Sequence, residues 1–192
     1  MNNRTDSEII SEVLAGNTAA FGVLVNLYKD KAFTLAYNIV TNREDAEEIA
    51  QDAFVKAFKA LHSFKGQSLF STWLYRIVAN TALSKRKLKK PVFIEMNHQS
   101  MEEQDDDSNF YKVWQKEESG DKKRFIQQAL LSLRDEERIC LTLFYVNELS
   151  IADIHELTKI TGANIKVILH RGRKHVYEEL LKLLGKEIHS LL

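Results

Sequence analysis

Pro91 is the only proline in 192 residues, and only seven glycines accompany it. Proline removes a backbone donor, and glycine inside a helix costs about 0.5–1 kcal/mol relative to alanine. Their scarcity, with abundant helix formers around them, leaves long stretches in which nothing interrupts a helix. The chain therefore reads as all-α. Apolar residues recurring at helical spacing place helices at about 6–15, 18–40, 43–61, 70–89, 122–132, 135–146, 151–157 and 162–184. No internal repeat is present. An apolar content of 44% supplies enough material for a core.

The formal net charge of zero is a cancellation. Residues 1–90 hold 13 Lys and Arg against 9 Asp and Glu, residues 91–122 hold 3 against 9, and residues 123–192 hold 11 against 9. Two mildly basic blocks thus flank an acidic one. The acidic stretch begins at Pro91 and runs on as "VFIEMNHQSMEEQDDDSNFYKVWQKEESGDK", poor in aliphatic residues and without a sustained helical period. It reads as a flexible acidic linker over 91–122 joining two helical domains, 1–90 and 123–192. Within it, "FYKVW" is a patch able to dock or to form a short helix.

Several classes of function are disfavoured. Cys140 is the only cysteine, so no intrachain disulfide can form, as suits a reducing cytosol. Its place in the apolar run "ICLTLFYV" marks it as a small core residue. No apolar run approaches the ~20 residues of a membrane span. The opening "MNNRTDSEII" lacks the apolar centre of a signal peptide, so no membrane insertion and a cytoplasmic location are expected. Gly-rich phosphate loops, HExxH, paired CxxC and Gly-x-Ser-x-Gly are all absent. "EMNH", Glu95 to His98, has the Glu-x-x-His spacing of di-iron bundles, but occurs once where that fold needs it twice. Neither a metal, a cofactor nor catalysis is expected.

The C-terminal block, "LSIADIHELTKITGANIKVILHRGRKHVYEELLKLLG", reads as a helix-turn-helix. Ser150, with Asp153 three residues on, starts a short helix with Ile151, Ile154 and Leu157 inward. "TKIT" makes a tight turn, Thr161 caps a longer helix, and Gly185 ends it. Its apolar stripe is Ile165, Ile168, Leu169, Val176, Leu180 and Leu184. The opposite face offers Asn164, Lys166, Val167, His170, Arg171, Arg173 and Lys174, which can reach base edges and phosphates from a major groove. An ordinary helical hairpin with a solvated basic face would show the same periodicity.

In the N-terminal block, "DAEEIAQDAFVKAFKALHSF" carries an inner stripe of Ala50, Ala53, Phe54, Ala57, Phe58 and Leu61. Glu48, Gln51, Asp52, Val55 and Lys59 line the other face, where an exposed valine among acids suits a partner surface as well as plain solvent. The next helix, "FSTWLYRIVANTALSKRKLKK", buries Phe70, Trp73, Leu74, Ile77 and Val78 and presents Thr72, Tyr75, Arg76, Asn80, Leu83 and Lys87. Its end gathers Lys85, Arg86, Lys87, Lys89 and Lys90, five cations within six residues. That exceeds what a helix C-terminus needs to offset its dipole, and such a cluster can neutralise phosphates.

Taken in order, these segments closely resemble an ECF-type bacterial sigma factor over nearly the whole chain except the linker. Residues 7–64 look like the first part of that family's promoter-melting domain, residues 70–90 like its minus-ten segment, and the stretch from "LLSLRDEERICLTLFYV" through the helix-turn-helix like its minus-35 domain. The resemblance implies a protein that binds bacterial core RNA polymerase, directs it to promoter DNA and opens the duplex, with an anti-sigma factor as a candidate further partner. By residue match, Glu48, Gln51, Asp52, Val55 and Lys56 would contact the polymerase. Lys65, Gly66, Gln67 and Ser68 would form the loop that captures a flipped base, an event costing a few kcal/mol of unstacking. Tyr75, Arg76, Asn80, Arg86, Lys87 and Lys89 would hold the melted strand, and Thr161, Asn164, Lys166, Val167, His170, Arg171 and Lys174 the minus-35 element. The chain departs from the family pattern at His155, where a small residue is usual, and at Lys159, usually Gly. It departs also at Ala163, usually Gly or small and polar, and at Ile168, usually Arg. Two rival readings stand beside this one: a stand-alone helix-turn-helix regulator, which leaves residues 45–68 without a purpose, and a helical adaptor that binds only protein.

Overall fold

The computed structural model describes residues 4–89 and 120–184. They fall into two compact units, one within Met1–Pro91 and one within Val92–Leu192. Among the described residues there are helices and no strand. The "EMNH" and "FYKVW" stretches lie outside the described residues, as does most of the expected linker. Residues 120–122, which the sequence places in the linker, already belong to a helix.

The first unit contains α1 (Asp6–Leu14), α2 (Phe21–Val40), α3 (Arg43–Ala60) and α4 (Phe70–Lys89). A capping box fixes the start of α1: Thr5 Oγ1 accepts from Glu8 N, and Glu8 Oε2 accepts from Thr5 N. Residues 18–20, expected as the first turn of α2, form a separate tighter 3₁₀ turn. Thr41 closes α2 in the left-handed region at φ 55°, and Asn42 starts α3 by accepting from Asp45 N at 2.8 Å. Helices α2, α3 and α4 pack mutually. The inner face of α3 is mostly small, with Ala46, Ala50, Ala53 and Ala57 buried beside Ile49 and Phe54. Small contact side chains let neighbouring helices come close, and Leu24, Leu35, Ile39, Leu74 and Val78 fill the space between them.

The second unit contains α5 (Gly120–Ser132), α6 (Asp135–Leu141), α7 (Ile151–Thr158) and α8 (Gly162–Leu184). The sequence reading gives one helix over 135–146. Instead α6 widens after Leu141 into a π turn over Thr142–Val146, where Asn147 N donates to Thr142 O at 3.0 Å, five residues back. The widened turn buries Thr142, Leu143 and Tyr145, and Glu148 at φ 57° reverses the chain towards α7. Ser150 and Asp153 form the expected capping box of α7. Ile139, Cys140, Leu141, Leu143, Ile154, Ile165, Leu169 and Val176 make the core. Burial pushes the Cys140 thiol up to about 12, so it stays protonated, consistent with the core role expected of it.

Candidate nucleic-acid and polymerase interface

On α3 the structure exposes Glu48, Gln51, Asp52, Val55 and Lys56 together, with Val55 at 52%. Two of them also turn towards α4: Lys56 Nζ donates to Thr81 Oγ1 at 3.1 Å, and Glu48 Oε2 accepts from Lys85 Nζ at 2.7 Å. Phe58, expected inside, is 40% exposed and meets Phe21 edge-on with centroids 5.1 Å apart. It extends the apolar part of this face beyond Val55.

The loop before α4 exposes Lys65, Gly66, Gln67, Ser68 and Leu69. Gly66 sits at φ +67°, a conformation that side chains with a Cβ rarely adopt. Phe64 anchors the loop, packing against Phe70 and Trp73 at centroid distances of 5.9 and 5.2 Å. Trp73 is thus held in an aromatic cluster, but it and Ile77, both expected to be buried, are only half-buried.

Two residues expected on the DNA-facing side of α4 are corrected. Tyr75 is 2% exposed and packs edge-on against Tyr28 at 6.2 Å. Arg86 is buried, and its Nη1 donates to Ile39 O at the C-terminal end of α2, where a cation offsets the negative helix terminus. The cause is the width of the core arc. Tyr75, Ala79, Ala82 and Arg86 recur at i, i+4, i+7 and i+11 and form a second inward stripe beside Phe70, Leu74 and Val78. A helix gripped by both α2 and α3 buries both stripes. Lys85, read as part of the phosphate-neutralising tail, is tied to Asp45 at 3.1 Å and Glu48 at 2.7 Å. Those hydrogen bonds raise its pKa. Asn80 stays exposed and Arg76 is half-buried. The side chains of Lys87 and Lys89, and all of Lys90, lie outside the described residues.

In the helix-turn-helix, Lys159 ends α7 in the left-handed region at φ 65°. This is the position where the family usually has Gly, and the backbone shows why. The turn is closed by His155, whose Nδ1 lies 2.7 Å from Ile160 O, so this departure from a small residue also has a structural use. Thr161 Oγ1 accepts from Asn164 N at 3.4 Å and caps α8. Lys166 and Lys174 are exposed on α8, and Asn164, Val167 and His170 are half-buried. Ile168 is 1% exposed, so it belongs to the core and faces no phosphate.

Arg171, expected to face DNA, is one-third exposed and also reaches inward. Its Nε donates to Glu137 Oε1 at 2.6 Å, turning the guanidinium back to α6. Arg173 likewise donates to Tyr145 Oη at 3.0 Å. Glu137 is a residue the sequence reading missed. Its side chain is 1% exposed and also accepts from Arg134 Nη2 at 3.0 Å, with His175 Nδ1 3.0 Å from its Oε2. Burial pushes this carboxyl up, but hydrogen bonds from His175 and Arg171 and the charges of His175 and Arg134 outweigh it and hold it below its ordinary value. The available signal is spacing: Glu137 stands three and four residues before Cys140 and Leu141, on the helix face that those two bury. Among the described residues no group of three or more His, Cys, Asp or Glu is arranged to hold a metal, and no helix is long and apolar enough to cross a membrane.

A family model for Sigma-70 region 2 matches residues 24–90, from α2 to the end of α4. A second, for Sigma-70 region 4, matches residues 125–176, from α5 into α8. The ECF RNA polymerase sigma factor SigW of Bacillus subtilis is 34% identical over 176 residues, covering 89% of this chain and 94% of the relative. The RNA polymerase sigma-H factor of Pseudomonas aeruginosa is 28% identical over 184 residues, 93% and 95% of the two chains. In fold, the chain resembles CnrH in its complex with the cytosolic domain of CnrY, with a TM-score of 0.56 at 19% identity over 90% of this chain and 94% of that one. It also resembles the sigma factor RpoE bound to the anti-sigma factor NepR from Bartonella quintana, with a TM-score of 0.55 at 23% identity over 84% and 96%. Over nearly its full length, then, this chain belongs to the ECF RNA polymerase sigma factors.

Proposed function

We propose that this sigma factor docks on core RNA polymerase through the exposed face of α3, reads the upstream promoter element with α8, and opens DNA with the loop at 65–69 and α4. The observation that carries this reading is the order of the two matched regions along one chain, 24–90 then 125–176, each with an exposed polar surface on its own helical unit. The polymerase face comprises Glu48, Gln51, Asp52 and Val55, with Phe58 added and Lys56 at its edge. The melting set is Lys65, Gly66, Gln67, Ser68, Arg76 and Asn80, with Lys87 and Lys89 as phosphate neutralisers. Asn164, Lys166, Val167, His170 and Lys174 read DNA, and Thr161 positions the start of α8. Tyr75, Arg86 and Arg171 leave the contact set because the fold uses their side chains internally.

We read residues 1–90 and 123–192 as separate domains and the intervening acidic stretch as their tether. No reaction is assigned to the chain itself, since phosphodiester chemistry belongs to the polymerase. Its place of work is the cytoplasm, with the polymerase. An anti-sigma factor is a further candidate partner, since RpoE, whose fold this chain shares, was solved with one. The test is transcription in vitro by core polymerase on a promoter library, with and without the full chain. Factor-dependent transcripts from a subset of promoters are expected. No factor-dependent initiation, with specific duplex binding by the chain alone, would favour a stand-alone regulator, and no DNA binding at low salt an adaptor.

A further inference from the structure

Arg171 and His175 lie four residues apart on one face of α8 and bracket Gly172, and all three meet α6. A Cβ at Gly172 would stand 2.9 Å from Leu141 Cδ1 and 3.4 Å from Glu137 Cβ, so the two helices touch backbone to side chain at this point. Directly beside that contact the Glu137 carboxylate takes Arg171 Nε at 2.6 Å on Oε1 and His175 Nδ1 at 3.0 Å on Oε2. On the other flank of the Gly172 ridge, Arg173 Nη1 donates to Tyr145 Oη at 3.0 Å. Successive residues of a helix are about 100° apart, so Arg171 and Arg173 leave α8 on opposite sides of Gly172. Bonds on both sides of a close-packed ridge stop the helix from rolling either way.

We infer that Glu137 is a positioning residue that fixes the rotation of α8, and that Arg171 acts on promoter selection through Glu137 rather than by touching DNA. Lys166, His170 and Lys174 share α8 with the bracket and sit within two turns of Gly172, so a roll of the helix would swing them together. The carboxylate is therefore specificity-determining although it is buried on the far side of the helix from any groove. This rests on the reading of α8 as the DNA-contacting helix.

The test uses holoenzyme assembled from core polymerase and the full chain. The probes are a duplex recovered from a randomised pool by the parent holoenzyme and a scrambled duplex of equal length. Parent, E137Q, R171Q and the E137Q/R171Q double variant are compared for discrimination between the duplexes, for base preference at each position, and, in R171Q, for salt dependence. A phosphate contact contributes about 0.9 to the slope of log affinity against log salt. A positioning residue contributes none. R171Q should therefore keep the parent slope while losing roughly tenfold in discrimination, a typical coupling between contacting residues. E137Q should lose a similar factor, spread over several base pairs, and the double variant should be no worse than the worse single one.

The inference is overturned if R171Q lowers the slope by about 0.9, if it erases preference at a single base pair while E137Q keeps full discrimination, or if the two losses simply multiply. Should E137Q fail to fold by circular dichroism, R171Q decides alone through its slope and base profile, because Glu137 there keeps Arg134 and His175. K166A and H170A separate the two levels of argument. If both match the parent holoenzyme, the reading of α8 falls and takes this inference with it. If they lose binding while R171Q behaves as a direct contact, only the inference falls.

Discussion

Two helices of this chain carry clusters of cations, α4 in the first unit and α8 in the second, and each is tied to an acid on a helix packed against it. On α4, Lys85 reaches two acids of α3, Asp45 with its side chain 15% exposed and Glu48 with its side chain 66% exposed. On α8, Arg171 and His175 reach Glu137 of α6, whose side chain is 1% exposed. The motif is the same and the solvent is not. A pair in water is worth about 0–1 kcal/mol and exchanges readily with a phosphate or a partner's charge. A carboxylate out of water must keep its partners, since stranding it costs about 3–5 kcal/mol. The Glu48 part of the first tie is open to such exchange, Asp45 is more sheltered, and the Glu137 tie fixes geometry.

The sharpest way to break this comparison is to remove the partners that α8 and α4 supply to these acids. Arg171→Ala with His175→Ala leaves Glu137 buried with Arg134 alone, and should destabilise the second unit by about 3–5 kcal/mol. Lys85→Ala should cost the first unit less, because Glu48 can turn to water and Asp45 keeps some contact with it. Hydrogen exchange of the α6 and α8 amides against those of α3 and α4 reports each unit separately. Equal losses in the two units would remove the distinction drawn from burial.

Acid should find the same difference. The folded pKa of Glu137 lies below the ordinary 4.5, so its contribution is fully present above that value. It is lost as pH falls through the lowered folded value, because the unfolded chain then binds the proton more readily. The second unit should lose protection on that limb, and Glu137→Gln should flatten it. An unchanged acid limb in the variant would place the sensitivity elsewhere.

The turns that lead into the two helices differ as well. Gly66, before α4, holds φ +67°, and Lys159, before α8, holds φ 65°. A residue with a Cβ pays about 1–2 kcal/mol in this region, part of which glycine returns through its greater freedom when unfolded. Lys159→Gly should therefore raise the stability of the second unit by about 0.5–1 kcal/mol, while Gly66→Ala should lower that of the first by about as much. Urea unfolding of full-length variants checks both signs.

Much of this architecture is legible in the sequence because local rules state it. Helix extents follow from spacing, and the start of α7 from Ser150 and Asp153. What escapes is long-range. Tyr75 and Arg86 look outward if α4 has one neighbour, and only the grip of two helices turns a second stripe inward. Arg171 looks like a base reader until Glu137, 34 residues earlier, is seen beside it. The π turn at Thr142–Val146 leaves no mark in composition, since its extra residue is as apolar as its neighbours. At Lys159 the residue itself gives no warning of a left-handed backbone, and only the family's usual glycine hints at it.

The smallest effect expected is the one that most directly tests whether the α4 tie is exchangeable. Glu48→Gln alone should change little, because Asp45 still holds Lys85 at 3.1 Å. Asp45→Asn with Glu48→Gln removes both carboxylates while keeping side chains of the same shape that can still accept from Lys85, so stability should shift little. What should move instead is DNA binding. With its internal anions gone, Lys85 is available to a phosphate, and the salt slope for non-specific duplex binding by the full chain should steepen by up to about 0.9. Removing two acids also raises the net charge, which strengthens binding at low salt wherever the acids lie. Glu44→Gln with Asp52→Asn, two exposed acids of the same helix that bond neither Lys85 nor Arg43, is the control for that general effect. A steeper slope in the first pair and not the second assigns the change to Lys85. Equal slopes in both pairs would show that the cation was never held back, and the tie on α4 would then differ from the one on α8 in strength alone.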